Sequence, residues 1–277
     1  MEHTEFSWTS PENVQFFAQE WTPANQIKAS ITLVHGLGEH SSRYQHLAEY
    51  YCDQGISVLS FDQRGHGRTQ GKRGHIPSYN LAMQDIKHFI AENRSRHPES
   101  RHFLYGHSLG GAMALYYTMT KKTGIEGTIV TDPGLAAGEP LPPVKLALAK
   151  IMAKIAPSIT MANGLDRDNL SRDPQVVQRY NNDPLVHDQV SASLGMDLFA
   201  KGAWMVENAA SLDIPLLLMY GTGDHLVDLS AICSFLRNAS NLVTSKTWDG
   251  FFHEIHNEPE KTDVFDFTIN WIKNRIS

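Results

Sequence analysis

Apolar and polar positions alternate in blocks along this chain. The first block, "EFSWTSPENVQFFAQEWTP", reads as two short strands around a Ser-Pro-Glu-Asn turn. "ASITLVHG" is a β-branched apolar run stopped by glycine, and helical spacing follows through "RYQHLAEYYCDQG". The rhythm then repeats. "ISVLSFD" is a strand, "NLAMQDIKHFIAENRSRH" a helix, "RHFLYG" a strand, "SLGGAMALYYTMTKK" a helix and "IEGTIVTD" a strand. Strands that are apolar on both faces, each followed by a helix, predict a parallel sheet covered on two sides.

After Asp132 the rhythm stops. Residues 134–210 carry no convincing strand, and "VKLALAKIMAKIAPSITM" (144–161) reads as helix, dense in Ala, Leu, Ile and Met. "GEPLPP" just before it reads as a rigid lead-in. The sheet resumes with "IPLLLMYG", a helix "LSAICSFLRN", a last strand "LVTSKTWD" and a closing helix "VFDFTINWIKNRI". The simplest parse is one α/β domain over residues 1–277. Its central sheet is mostly parallel, with helices on both faces and a helical cap inserted late in the sheet at 134–210.

Composition narrows the class. With 277 residues, 41% of them hydrophobic and 19% charged, the chain is globular, and a net charge of −6 without a basic block argues against nucleic acid. The start, "MEHTEFSWTSPEN", lacks the basic and apolar regions of a secretory signal, and nothing approaches 18 uninterrupted apolar residues. A cytoplasmic protein is expected. Cys52 and Cys233 lie in apolar-rich helical patterns and are expected to be buried free thiols.

The candidate chemistry centres on "YGHSLGG" (105–111), a strand end, a G-x-S-x-G and a helix start. A serine between strand and helix sits in a sharp turn, where Gly106 and Gly110 remove side chains that would collide. Ser108 would stand at a helix N-terminus, where free N–H groups favour developing negative charge. It needs a base and oxyanion donors. For the acid, "TGDHLVD" offers Asp224 and Asp228, and Asp132 is a rival at the end of an earlier strand. Asp228 is better placed to cap the next helix. Chain order Ser…Asp…His admits both Asp132 and Asp224, and position favours Asp224. The base must follow the last strand. His253 falls in that loop, and His256 lies next to the closing helix. Zinc would require H-E-x-x-H with histidines at i and i+4; here the spacing is i, i+3 and Pro259 interrupts, so no metal or cofactor is expected. His107, beside the nucleophile, is expected to pack behind it.

These segments together resemble a known family. "HGLGEHSSRY" (35–44), "FDQRGHGRTQGKRG" (61–74), "GHSLGG", "GTGDHLVD" and "FFHEIHNE" are similar to the monoacylglycerol lipases of the α/β-hydrolase superfamily. The resemblance covers essentially the whole chain. It implies an α/β-hydrolase fold and hydrolysis of a lipid ester by Ser108 as nucleophile, Asp224 as acid and His253 as base. The oxyanion hole would be the backbone N–H groups of Leu37 and Leu109. It further implies that Glu39, Arg43, Tyr180 and His256 hold the alcohol portion of the substrate. General carboxylesterase, lysophospholipase and acyltransferase chemistry remain alternatives on this fold, as does a non-catalytic binding protein. The chain departs from the pattern at "TDPGLAAGE", with Asp132 where the family usually has a small residue. A cap rich in apolar residues, with Lys145, Lys150 and Lys154 among them, either touches a membrane or micelle or packs wholly on its own domain.

Overall fold

The computed structural model describes residues 1–121, 124–138 and 142–276, without the side chains of Pro143 and Lys145. The lead-in "GEPLPP" therefore falls partly outside the described residues, as does the side chain of Lys145. In chain order the elements are β1 (Glu2–Thr9), β2 (Gln15–Thr22), β3 (Ala29–Val34), α1 (Gln45–Asp53), β4 (Ile56–Phe61), α2 (Tyr79–Arg96), β5 (Arg101–His107), α3 (Leu109–Thr120) and β6 (Gly127–Thr131). They continue with α4 (Pro143–Ile155), β7 (Thr160–Ala162), α5 (Pro174–Asn182), β8 (Gln189–Ser191) and α6 (Ala192–Glu207). The last are β9 (Leu216–Gly221), α7 (Leu229–Asn238), β10 (Val243–Trp248) and α8 (Lys261–Ile276).

Eight strands form one sheet in the order β1-β2-β4-β3-β5-β6-β9-β10. β1 pairs with β2, and β2 with β4, antiparallel; every later pairing in this sheet is parallel. The parallel strands are buried on both faces because their side chains feed two cores in alternation. Leu104, Val130, Leu216 and Leu218 point into the core under α2, α3, α6 and α7. Phe103, Tyr105, Ile129, Leu217 and Met219 point into the core under α1 and α8. An apolar run with no polar alternation is what such a double burial requires.

Strand order reverses between β3 and β5: the chain runs from β3 to β4 on one side and then to β5 on the other. The loops leaving β3 and β5 lie at the C-terminal ends of the strands where the order reverses, the place where open α/β sheets commonly bind ligands.

Between β6 and β9 the chain leaves the sheet to build α4, α5 and α6 with a two-stranded β7–β8 ribbon. Two local readings change. The helix expected over 144–161 ends at Ile155, because Pro157 pushes the residue before it out of the helical region, and Ala156 has φ −144. Met161 belongs instead to β7, whose pairing with β8 is three residues long, too short for any hydrophobic period to show. No described side chain of α4 is buried. Val144, Leu148, Ile151 and Ile155, at 81, 57, 55 and 71% exposed, share one helical face, so that face does not pack on the domain. Of the two thiols, Cys52 is buried and Cys233 only partly so.

Candidate active site

Ser108 sits between β5 and α3 with φ 54 and ψ −118, a left-handed conformation that is costly for a residue with a side chain. Local contacts hold it there. The Ser108 N–H donates to Thr131 O at 3.0 Å, and the Ser108 carbonyl accepts from Gly134 and Ala112. The two flanking glycines are steric necessities: a Cβ at Gly106 would lie 2.2 Å from Gly110 O, and one at Gly110 would lie 2.2 Å from Val34 O.

Three sequence-distant side chains converge at this point. His253 Nε2 lies 2.9 Å from Ser108 Oγ, and His253 Nδ1 lies 2.7 Å from Asp224 Oδ2. A carboxylate only accepts, so Nδ1 carries the proton and Nε2 is free to accept from the serine hydroxyl. Asp224, in the loop after β9, is fixed by the Leu226 and Val227 N–H groups, which donate to Oδ1 at 2.7 and 3.3 Å. Burial opposes a charged imidazole at His253, but the charge and hydrogen bond of Asp224 outweigh it and lift the group above 6.5. Asp224 is conversely held below its ordinary range: burial raises it, and His253 with the Leu226 amide more than compensates. Asp228 caps α7 through Ser230 N–H at 2.8 Å, as its position suggested.

The crevice wall opposite is the loop after β3. Gly36 passes so close to Ser108 that a Cβ there would be 3.3 Å from Ser108 Cβ. His35 ties this loop down: Gln63 N–H donates to its Nε2 at 2.9 Å, so its Nδ1–H donates to Gly36 O at 2.8 Å. Burial drives the His35 imidazole down to about 3, so it stays neutral and keeps both bonds. Asp62 locks the neighbouring loop by accepting from Ser41 N–H, Ser41 Oγ–H and Arg68 N–H at 2.8, 2.6 and 2.7 Å. The N–H groups of Leu37 and Leu109 donate to no acceptor among the described residues.

Glu39, Arg43 and Tyr180 cluster beside this wall. Glu39 accepts from Gly36 N–H at 2.6 Å, Tyr44 O–H at 2.7 Å and Arg43 at 2.5 Å. Arg43 also forms a two-pronged pair with Glu254 at 2.6 and 2.7 Å, and its guanidinium lies 4.6 Å over the Tyr180 ring. Against the cost of burial, Arg43 pulls Glu254 down to about 2. Residual exposure separates the members: 10% of the Arg43 side chain is accessible, against 3% for Glu39 and 2% for Glu254. His256 sits deeper. Its ring stacks on Tyr44 at 4.8 Å and meets the His107 edge at 4.7 Å, and it is fully enclosed. His107 is itself 4.8 Å from His253 and shares a hydrogen bond with Thr131 Oγ1, and it is buried in the packing beside Ser108. His253 and His256 therefore face different surroundings: the first bonds Ser108 and Asp224, the second stacks on Tyr44.

Sequence reasoning passed over two residues. Glu254 is the acid between the two histidines, yet its partner Arg43 is 211 positions away. Glu258 shapes the His253 loop by accepting from Phe252 N–H at 2.7 Å and pairing with Arg172 at 2.9 Å. No local period marks either contact.

Known proteins resemble this chain along most of its length. Residues 25–260 match the family described as serine aminopeptidase, S33 (Hydrolase_4). The chain is 33% identical to a monoacylglycerol lipase of Mycolicibacterium smegmatis over 99% of its own length and 98% of the relative's. It is 37% identical, over 92% of its length, to an uncharacterised abhydrolase domain-containing protein of Dictyostelium discoideum, but spans only 27% of that longer protein. Among solved structures, that of the Paleococcus ferrophilus monoacylglycerol lipase superposes with a TM-score of 0.83 at 34% identity, covering 99% of this chain and 100% of that one.

Proposed function

The chain belongs to the monoacylglycerol lipase family of the α/β hydrolases, and from that premise we propose that it hydrolyses monoacylglycerols to glycerol and a free fatty acid. The observation that carries the reading is the hydrogen-bonded series Ser108–His253–Asp224, with the Leu37 and Leu109 amides donating to no acceptor among the described residues. Ser108 Oγ attacks the ester carbonyl as His253 Nε2 takes its proton, and Asp224 holds and stabilises the imidazolium. The Leu37 and Leu109 amides receive the oxyanion; losing one such donor costs about 3 kcal/mol in the transition state. Glycerol leaves with the proton from His253, and water then repeats the sequence on the acyl-enzyme.

On the alcohol side, Arg43, which keeps 10% of its side chain accessible, meets the glycerol hydroxyls with the Tyr180 ring packed against its guanidinium. Glu39 holds Arg43 in place, and His256 acts from behind through the Tyr44 stack. Residues 134–210 act as a cap over the crevice. Its backbone is stitched to the loops below by His187 N–H to Gly38 O at 2.9 Å and Ser191 N–H to Gly74 O at 2.8 Å. The exposed aliphatic face of α4, with Ile159, Met161 and Phe199 exposed nearby, docks on the lipid aggregate that supplies substrate. Lys150 and Lys154 lie near its headgroups.

A substrate panel tests this reading. Monoacylglycerols, di- and triacylglycerols, lysophospholipids, p-nitrophenyl esters and aminoacyl p-nitroanilides are compared by kcat/KM. Monoacylglycerols are expected to lead at matched acyl chain. Equal rates whatever the alcohol would reject the glycerol pocket, and a preference for the anilides would reject ester hydrolysis as the main activity.

A further inference from the structure

Asp132 ends up at the heart of the site without a role in the steps above. It follows β6 directly, is 0% exposed, and has φ 43, in the left-handed region. Its N–H donates to Met219 O at 2.9 Å, and its Oδ1 accepts from Gly221 N–H at 2.9 Å. Its Oδ2 is buried with no donor among the described residues. Ligand atoms of Asp132, Asp224 and His253 all lie within 4.8 Å of one another.

The groups facing this carboxyl are Asp224 and His253 from the loops after β9 and β10, Glu258 ahead of α8, and Tyr105 from β5. Of these groups His253 alone carries positive charge when protonated, and it is already engaged with Asp224 Oδ2 and Ser108. Two anionic carboxylates this close, at 0 and 4% exposure, repel each other with little bulk solvent to screen them. A proton on one of them removes the repulsion and turns the orphaned oxygen into a donor. Asp224 is the one committed to accepting: two amides and an imidazole N–H already point at it.

We propose that Asp132 is held as the neutral acid and donates its Oδ2–H to the Asp224 carboxylate, acting as a positioning residue for the triad. Burial first, and then the charge of Asp224, push the Asp132 carboxyl well above its ordinary range, while Asp224 is held below its own. The arrangement resembles an oxyanion donor turned on the enzyme's own acid. It fixes Asp224 against His253 and withdraws part of its charge, which keeps the imidazole from becoming too basic to serve near neutrality. The inference rests on Asp224 being the triad acid.

The test compares Asp132→Gly, Asp132→Asn and Asp224→Asn on a soluble ester across pH. Glycine accepts the positive φ and removes the carboxyl, so folding is least disturbed. Asparagine also tolerates that conformation, and it copies the neutral acid, with an oxygen for Gly221 N–H and an N–H for Asp224. Asp132→Gly is expected to lose about 10- to 100-fold in kcat with KM unchanged, and its acid limb is expected to move to higher pH. Asp132→Asn is expected to restore most of that loss and return the limb to its wild-type position. A Gly variant with the wild-type rate and profile would overturn the proposal. So would an Asn variant as impaired as the Gly one. Infrared difference spectra of wild type minus Asp132→Asn at neutral pH give a reading independent of turnover: a protonated carboxyl band is expected, and its absence overturns the assignment. If Asp224→Asn instead keeps full activity, the triad assignment itself fails, an outcome distinct from failure of the Asp132 role alone.

Discussion

Replacing Glu254 by Gln isolates the charge that anchors the Arg43 cluster. Glutamine has the shape of a protonated glutamate, so the substitution imitates adding a proton to a group that the fold keeps ionised. The carboxyl drops from an ordinary 4.5 to about 2 in the folded protein, because Arg43 outweighs the cost of burial. At 1.36 kcal/mol per pH unit that difference is about 3 kcal/mol of folding stability. With 2% of the side chain exposed, solvent screening takes little of it away. Breaking a buried ion pair from one side costs about 3–5 kcal/mol in general, in line with this figure. For a chain of this length the loss lowers Tm by roughly 5–10 °C. The sign follows from the depressed value: the stabilisation is full above 4.5 and is lost as pH falls toward about 2. Urea unfolding of wild type and Glu254→Gln should therefore differ by about 3 kcal/mol near neutrality. The gap should shrink once pH falls below 4.5. A neutral-pH difference under about 0.5 kcal/mol, or a gap independent of pH, would refute the reasoning.

Other consequences are open to measurement. A base must be neutral to act, and His253, proposed for that role, is lifted above 6.5, so kcat/KM should fall as pH drops through a midpoint above 6.5; a midpoint well below that value would contradict the ion pair. Leu148→Glu with Ile151→Glu on α4 should weaken binding to phospholipid vesicles while leaving turnover of a soluble ester unchanged; unchanged vesicle binding would remove α4 from the lipid surface. Prolonged chelation followed by elemental analysis should leave esterase activity intact, and loss restored by a divalent cation would mean that Asp132, Asp224 and His253 hold metal rather than protons.

Much of this architecture was legible in the chain because its signals are local. β3, β4 and β9 are uniformly buried, and an apolar run without alternation announces that. The turn at Ser108 was equally legible, since two glycines at fixed spacing have a steric reason that any reader of sequence is able to apply. The seam between core and inserted segment was not. Its backbone bonds, such as His187 N–H to Gly38 O, join positions with no shared period. The same holds for Arg43: the family resemblance singled it out and Glu39 was a partner open to sequence, but its second carboxylate partner, Glu254, came from the fold. The substrate-side reading of His256 came from the family resemblance, not from its own surroundings in sequence. A short 3-10 turn at Ile255–Asn257 carries its ring away from the serine and onto Tyr44. Asp132 was visible as an exception to a pattern, and only its distance to Asp224 gave the exception a physical meaning.

The most direct test of Ser108 as nucleophile is covalent capture by a fluorophosphonate, with the adduct mapped by peptide mass spectrometry in wild type and His253→Ala. One adduct on Ser108 is expected in the wild type, formed about 10²-fold or more slowly when the base is removed. An unlabelled native protein, a label on another residue, or equal labelling rates in the two proteins would contradict the account.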